Sequence, residues 1–376
     1  PYPATGFLTV SFTGNLCITF RESLRRIMKS ETLLPLGKLD PGLAQPEAPL
    51  DTSKVVPESQ KADAAGYHAI LMEETKDDPF QILALAAHAT ERVHVGTSVA
   101  IAFPRSPYVT AMAAWTLQKL SGGRFELGLG SQVGAHIRRR FGMESHPPGP
   151  WMRDYVRAVK AIWESWQTET PVDFASEHYN INLSVPLFTP APLEHPHIPV
   201  LLAAVNPYMC GVAAEVADGV RLHPVCSRRY IVEEVIPAVQ RQRAADASEP
   251  FEVCLKPLIA TAPDDETLEK RKEIARQRLA FYVSTPAYRR PFENAGLLDL
   301  AKRMSVLPRE SRWDEMATMI DDEILHEWVI VAKYDELAGA INDRFGDVLD
   351  RIEVSIPMDK PEDQAVMAEV IRDIGS

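Results

Sequence analysis

Two apolar segments are followed by small and polar residues in a pattern suited to ligand binding. Residues 93–99 form an apolar segment that ends in Ser98 and Val99, and residues 124–130 form a second one that is followed by Ser131. A helix-like segment joins them, as in a strand–helix–strand unit. In proteins built from such units, catalytic and binding groups collect where the strands end. The pattern therefore predicts a chemical site at the ends of these two strands.

The elements that must position this site are repeated strand and helix segments. Most strand candidates are apolar on both faces, as expected for strands that helices cover. They are residues 36–40, 67–73, 93–99, 124–130, 198–204, 219–223, 251–261 and 351–357. Segments with the apolar spacing of an amphipathic helix lie between them. The main ones are residues 78–89, 106–121, 151–166 and 206–217.

Eight strands that alternate with helices predict an α/β protein with a closed (β/α)8 TIM barrel. An open, doubly wound sheet is the alternative. The chain has no G-x-G-x-x-G motif after its first strand, and the repeat continues to the last strand at residues 351–357. Both features favour the barrel. Long loop insertions are expected after strands four and seven, beginning with residues 131–150 and 286–327.

The barrel is predicted to span residues 38–360. Residues 1–37 match no element of the repeat, and we expect a poorly ordered amino-terminal extension there. A carboxyl-terminal helix or tail is expected over residues 361–376.

Composition restricts the partners and the location. The 376-residue chain has a net charge of −12, and its nearest approach to a basic block is Arg138, Arg139 and Arg140. Nucleic acid is therefore a poor partner, because phosphate contacts need clustered Lys and Arg; the three arginines suit either a small anionic ligand or a solvated helix face. The four cysteines are scattered without a C-x-x-C pair, so we expect no metal site and a reducing, cytoplasmic location. No apolar run reaches the roughly 20 residues of a membrane helix.

Several short motifs together resemble those of the luciferase-like flavin and deazaflavin oxidoreductases. They are E-T-K-x-D-P-F, G-T-S-V-A-I-A-F-P-R-S-P, S-G-G-R-F-x-L-G-L-G-S-Q, R-R-F-G-M, A-E-V-A-D-G-V-R-L-H-P, F-Y-V-S-T-P-A-Y-R and R-W-D-E-M-A-x-M-I-D-D-E. More narrowly, the pattern is similar to the branch of the luciferase-like monooxygenase superfamily that uses coenzyme F-420, an 8-hydroxy-5-deazaflavin. The resemblance runs from near Lys38 to near Lys360. It implies a TIM-like barrel with the cofactor at the carboxyl ends of the strands.

The resemblance also implies where the cofactor binds. Its ring is expected to lean on a bulge after strand three that has a non-proline cis peptide bond, and its phosphate tail is expected after strands four and five. The expected cofactor-binding residues are Ser98, Val99, Ile101, Ser131, Gln132, Val133, His136, Val205, Asn206, Tyr208 and Met209. Many relatives have glycines at the turn that here reads Val205-Asn206-Pro207. This departure leaves coenzyme F-420 and FMN as alternative cofactors.

The catalytic residues are expected after strands two, four and six. The family's sugar-phosphate dehydrogenases have an Asp-His pair where this chain has Glu74 and Thr75, and an acidic residue where it has Val133. Their reaction therefore does not transfer to this chain. We expect the side chains of Glu74 and Lys76 to face the ring, and either His136 or His223 to donate a proton.

The leading functional hypothesis is an enzyme that transfers a hydride between coenzyme F-420 and a small organic substrate. In such an enzyme the cofactor carries the chemistry and the protein supplies placement. The alternatives are an FMN-dependent monooxygenase that acts on paired donors with molecular oxygen, and a non-catalytic barrel that binds a cofactor. Because relatives are commonly dimers, we expect a homodimer through helices 78–89 and 106–121.

Overall fold

Eight parallel strands close into a barrel in this computed structural model. The structure describes residues 27–38, 49–243, 250–310, 312–356 and 360–375. The barrel strands, numbered β1 to β8 along the chain, are Lys29–Leu33, Ala69–Met72, His94–Thr97, Phe125–Gly130, Val200–Ala204, Gly219–Leu222, Glu252–Leu255 and Arg351–Glu353. Each strand pairs in parallel with the next, and β8 pairs with β1, so the ring has no open edge. The predicted (β/α)8 barrel is confirmed.

Helices surround this ring, and several begin at capping residues that the sequence provides. The helices are Val55–Ala65, Pro79–Ala89, Pro107–Leu120, Gly134–Arg139, Pro148–Thr168, Pro207–Val216, Arg228–Tyr230 continuing through the π-helical Ile231–Val235 into Ile236–Gln242, Asp265–Ser284, Arg289–Asn294, Leu298–Met304, Trp313–Thr318, Asp322–Trp328, Tyr334–Phe345 and Pro361–Asp373. Asp78, Ser106 and Asn206 each accept a backbone N–H of the following turn, at 2.9, 3.2 and 2.9 Å. A proline follows each cap, where its missing N–H leaves no hydrogen bond unmade. The four helices predicted from apolar spacing are confirmed.

The first barrel strand lies earlier in the chain than the sequence predicts. The prediction places it at residues 36–40, whereas β1 lies within residues 1–37, the segment for which the sequence predicts an extension. A charged residue in this strand hides its apolar pattern: Glu31 is 1% exposed and lies 2.7 Å from Arg221 and 3.0 Å from Arg351. The barrel therefore begins before the predicted boundary. Residues 1–26, the rest of the predicted extension, lie outside the described residues.

The seventh predicted strand is divided in two. β7 ends at Leu255, and Leu258–Ala262 leaves the barrel to pair in parallel with Val329–Lys333. Pro257 lies at the break, where it cannot donate a backbone hydrogen bond to the barrel ladder. The sequence prediction missed Val329–Lys333, because no glycine or proline separates this strand from the helices on either side.

The remaining predicted regions add to the barrel. The insertion after β4 includes the small hairpin of Phe174–Ala175 and Asn180–Ile181. The last helix, Pro361–Asp373, packs against Val55–Ala65 and Tyr334–Phe345. It is therefore part of the outer helical layer rather than a separate tail. Among the helices in the described part of the chain, none combines the length and the apolar character that a bilayer span requires.

A network of buried ion pairs crosses the barrel interior. Arg351 of β8 contacts both Glu31 of β1 and Glu126 of β4, and Arg221 of β6 also pairs with Glu31. These four side chains are at most 8% exposed. Buried charges of this kind persist when each has an opposite partner. The network ties strands from opposite sides of the ring together.

Candidate active site

The carboxyl ends of β3, β4 and β5 lie side by side on one rim of the barrel. Pairing of β3 with β4 is interrupted after Gly96 and resumes at Ala100–Ile101. The peptide bond between Ser98 and Val99, in the interruption, is cis, as the resemblance implies. Both residues are half-buried, so the bulge is partly open to the solvent at this end of the barrel.

Two glycines of β4 leave the space that the bulge occupies. A Cβ atom at Gly128 would lie 1.9 Å from the carbonyl oxygen of Thr97, and one at Gly130 would lie 2.6 Å from Val99 Cγ2. The Thr97 hydroxyl donates to the Gly128 carbonyl at 2.6 Å and accepts the Gly128 N–H at 2.9 Å. A Cβ at Gly130 would also lie 3.7 Å from Ala203 Cβ. The tips of the three strands therefore meet at Gly130.

The carboxylate of Glu74 fixes the bulge from the β2 side. It accepts the backbone N–H of Ile101 at 2.7 Å, and Arg105 Nη1 donates to both of its oxygens at 2.6 and 2.7 Å. Arg105 Nη2 continues to Asp78 at 3.0 Å. The Glu74 side chain is only 11% exposed, and Ile101 is 4% exposed. Glu74 is therefore engaged in holding the backbone beside the bulge, and the Ile101 side chain packs in the core.

The loop after β2 also reaches the insertion after β4. Arg140 Nη2 donates to the backbone carbonyl of Thr75 at 2.9 Å. Lys76, the next residue, is exposed on this loop, as are Arg138 and Arg139 on the insertion. One of the three arginines noted in the sequence therefore fastens two rim loops together.

The loop after β4 places its predicted residues on the rim. Ser131 is half-buried, and Gln132 has a φ of 54°, in the left-handed region. The side-chain oxygen of Gln132 accepts the Val133 N–H at 2.9 Å. Val133 directly precedes the short helix Gly134–Arg139, on which His136 is exposed.

The loop after β5 places some of its predicted cofactor-binding residues at the rim and one in the core. The side chain of Asn206 accepts the Met209 N–H at 2.9 Å, and Met209 itself is only 7% exposed. Tyr208 is exposed, and its hydroxyl accepts a hydrogen bond from Arg153 at 3.1 Å. Val205 is half-buried. The structure therefore brings Val205, Asn206 and Tyr208 to the rim and packs Met209 in the core.

His223 directly follows β6, farther around the same rim, and lies among aromatic rings. Its ring stacks on Tyr288 with centroids 4.2 Å apart and meets the edge of Tyr282 at 4.9 Å. The Val225 N–H donates to Nδ1 at 3.4 Å, which leaves Nε2 to carry the proton of a neutral ring. Burial, together with the nearby cation of Lys256, lowers the pKa of His223 to about 3. The ring is therefore neutral near pH 7.

An ion-pair cluster beside His223 joins the ends of four strands. Lys256, after β7, lies 2.8 Å from Glu73 and 3.3 Å from Glu353, and Lys38 lies 2.7 Å from Glu73. Burial would raise the pKa of Glu73, but the two lysines lower it to about 2. Burial does raise the pKa of Glu353. Glu73 is thus a fixed anion between two cations.

Sequence reasoning missed this half of the rim apart from His223. Glu73, His223 and Lys256 are each the first residue after a barrel strand, and this shared position is the sequence feature that identifies them. Tyr282 and Tyr288 come from the insertion after β7, whose return to the rim is not visible in local sequence. Because β5 lies between β4 and β6, the two predicted histidines, His136 and His223, follow strands that are not neighbours.

Comparisons with known proteins agree with the barrel fold. The profile of a family described as luciferase-like monooxygenase matches residues 36–350. An uncharacterized protein of Mycobacterium tuberculosis is 39% identical over 302 residues, which cover 78% of this chain and 89% of the relative. Another M. tuberculosis protein, whose name places it among coenzyme F-420-dependent oxidoreductases, is 30% identical over 296 residues, covering 73% of this chain and 83% of its own length. The solved coenzyme F-420-dependent tetrahydromethanopterin reductase of Methanopyrus kandleri shares the fold, with a TM-score of 0.70 at 17% identity over 93% of this chain and 98% of that one.

Proposed function

Because the chain belongs to the luciferase-like monooxygenase family, we propose that it is an oxidoreductase that transfers a hydride between coenzyme F-420 and a small organic substrate. The observation that carries this proposal is the backbone bulge at Ser98 and Val99, which interrupts the pairing of β3 with β4 and which β4 accommodates with two glycines. The relative named for its dependence on coenzyme F-420 supports the choice of cofactor.

The residues of the rim fit a flat heterocycle with an anionic tail. Contact with Gly130 holds Val99 against β4, and Glu74 fixes the adjoining backbone, so the bulge is a firm support. We assign the ring to Ser98 and Val99, with Ile101 packed beneath them. The residues that would hold the tail are Ser131, Gln132, Val133, His136, Val205, Asn206 and Tyr208. When bound, the deazaflavin supplies or accepts the hydride.

His223 is our candidate for orienting the substrate. A neutral imidazole with its proton on Nε2 can donate a hydrogen bond to a carbonyl oxygen and so polarise it. This polarisation does not require a cationic ring. Tyr282 and Tyr288 contact two sides of the ring, which limits its contact with water. Lys256, paired with Glu73, adds a positive charge nearby. The exposed His136 is then the better placed of the two histidines to exchange a proton with solvent.

Glu74 and Lys76 have different roles in this proposal. Glu74 is a positioning residue, because its oxygens are engaged by Arg105 and by the backbone of Ile101. Lys76 is exposed on the same loop, and we assign it to the electrostatic attraction of the anionic cofactor. Neither side chain needs to transfer a proton.

An FMN-dependent monooxygenase is the alternative, because the Asn206 cap stands where many relatives have a glycine-rich turn, and this departure leaves the choice between coenzyme F-420 and FMN open. Two measurements separate the F-420-dependent enzyme from the FMN-dependent monooxygenase. The purified chain is titrated anaerobically with each cofactor, and oxygen uptake is then measured in air with the reduced cofactor. The proposal expects saturable binding of coenzyme F-420 and no oxygen uptake. Tight binding of FMN with oxygen uptake would overturn it. Binding of coenzyme F-420 without turnover by a panel of carbonyl and alkene acceptors would favour a non-catalytic barrel instead.

We also propose that two copies of the chain associate through the neighbouring helices Pro79–Ala89 and Pro107–Leu120. These helices expose Leu85, Val109 and Met112 to 44%, 52% and 46%. Apolar side chains grouped on adjoining surface helices are typical of a covered interface. The association is tested by the mass of the protein in solution.

A further inference from the structure

A group of metal-ligating side chains lies near the amino-terminal ends of the strands, at the opposite end of the barrel from the rim. His68 directly precedes β2, His94 is the first residue of β3, and Glu126 is the second residue of β4. These strands are parallel neighbours, and the His94 N–H donates to the His68 carbonyl at 2.9 Å. Three adjacent strands therefore each contribute one side chain to the same place.

The candidate ligand atoms are close enough to share one ion. Glu126 Oε1 lies 3.0 Å from His94 Nδ1 and 3.7 Å from His68 Nε2, and all three atoms lie within 4.8 Å of one another. In a tetrahedral zinc site with bonds of about 2.0–2.2 Å, ligand atoms are separated by about 3.3–3.5 Å. The two measured distances bracket this spacing. Small side-chain rotations would bring the third pair of atoms, His68 Nε2 and His94 Nδ1, to the same spacing.

An independent observation points to a missing cation. Within the described residues, His68 Nε2, His94 Nδ1 and Glu126 Oε1 are buried atoms without a hydrogen bond of acceptable geometry. Glu126 is 1% exposed, and a buried carboxylate oxygen is costly when the nitrogens nearest to it are not aligned to donate. Its other oxygen, Oε2, is held by Arg351. Such a contact to the far side of a ligand is the kind that orients a carboxylate toward a metal.

Hydrogen bonds from the two rings to Glu126 explain these contacts less well. A neutral imidazole has one N–H to donate, but neither His68 Nε2 nor His94 Nδ1 meets hydrogen-bonding geometry toward Glu126 Oε1. The two rings instead stack, with centroids 4.7 Å apart. A divalent ion needs both rings neutral and uses one nitrogen lone pair of each. The side chains of His68 and His94 are 22% and 34% exposed, so the cluster lies close to the surface although its ligand atoms are buried.

We propose that His68, His94 and Glu126 form a binding site for a zinc-like divalent transition-metal ion. The ligand set of two imidazoles and one carboxylate suits Zn²⁺ and its neighbours rather than Mg²⁺ or Ca²⁺, which prefer oxygen. The scattered cysteines gave no indication of this site, because its ligands are histidines and a carboxylate that meet only in the barrel. Bound metal would cross-link the starts of β2, β3 and β4. The site is independent of the proposed hydride transfer.

Zinc binding by the full chain tests the site directly. Protein without an affinity tag is treated with EDTA, and Zn²⁺ is titrated in competition with a chromogenic chelator. The wild type is expected to bind one equivalent and to unfold at a higher temperature with zinc, since the ion binds the native state. The His68→Gln/His94→Gln double variant should lose at least about tenfold in affinity. Replacing the exposed His88 on a nearby helix, His88→Gln, should leave binding unchanged.

Two results would overturn the proposal. One is the absence of stoichiometric zinc binding by the wild type, and the other is equal affinity of the wild type and the double variant. Circular dichroism establishes that each variant is folded before its affinity is compared. If the double variant does not fold, the single variant His94→Gln, at the more exposed of the two histidines, gives the same comparison. Co²⁺ then serves as a second probe, because its visible absorption reports the ligand set.

Discussion

Substitution of Gly130 by alanine tests whether the bulge positions the cofactor. The new Cβ would lie 2.6 Å from Val99 Cγ2, whereas carbon atoms in contact lie about 3.5–4.0 Å apart. Val99 must therefore move by about 1 Å, away from β4 and toward the space assigned to the ring. Overpacking of this kind costs about 1–3 kcal/mol of stability. A displacement of about 1 Å near the reacting atoms can cost on the order of 100-fold in rate.

The assay is the dissociation constant of coenzyme F-420, followed by fluorescence, together with the rate of cofactor oxidation. We expect binding by Gly130→Ala to weaken by at least about tenfold, because the displaced Val99 enters the space assigned to the ring, and pushing it back toward β4 costs about 1–3 kcal/mol. Adding Val99→Ala removes the clashing Cγ2 atom, so the double variant should recover part of the loss.

A matched glycine control is available in helix Pro207–Val216. A Cβ at Gly211 would meet nothing within 4 Å. Gly211→Ala should therefore bind the cofactor normally and gain about 0.5–1 kcal/mol of stability, because alanine loses less backbone entropy in a helix. Unchanged affinity in Gly130→Ala, or no recovery on adding Val99→Ala, would refute the reasoning about the bulge.

Three further predictions concern other parts of the molecule. Glu74→Gln removes a charged hydrogen-bonding partner of Arg105, so the free energy of unfolding in urea should fall by about 1.5–3 kcal/mol and cofactor binding should weaken; normal values of both would count against a positioning role. The pKa of His223 is lowered from 6.5 to about 3, so the unfolded chain binds more protons between these values and stability falls as the pH drops through this range. His223→Asn should flatten the dependence of stability on pH in this range. An unchanged dependence would show that His223 is not its cause. Met112→Lys should convert the dimer to a monomer in light scattering, whereas Leu187→Lys, at a side chain 83% exposed on the insertion, should not.

The bulge and the strands around it are predictable because their pattern is local. The apolar segments before Ser98 and Ser131 are short and bounded by small residues, and the glycines that accommodate the bulge stand within β4 itself. The capped helix starts at Asp78, Ser106 and Asn206 are local in the same sense. Such features depend on neighbouring residues, which the sequence displays directly.

The features that sequence reasoning missed depend on partners far away in the chain. Glu31 makes β1 look polar, yet its partners Arg221 and Arg351 lie 190 and 320 positions away. The pairing of Glu73 with Lys256 spans 183 positions. Closing the barrel brings these charges together, and nothing in the local sequence indicates it. For this reason the local sequence predicts the first strand too late and does not reveal half of the rim.

A crystal structure of the chain with coenzyme F-420 tests the central claim most directly. We expect the deazaflavin ring against the Ser98–Val99 peptide and the phosphate tail beside Ser131 and Asn206, with His223 facing the substrate space. Cofactor density elsewhere on the barrel, or a ring that does not touch the bulge, would contradict it.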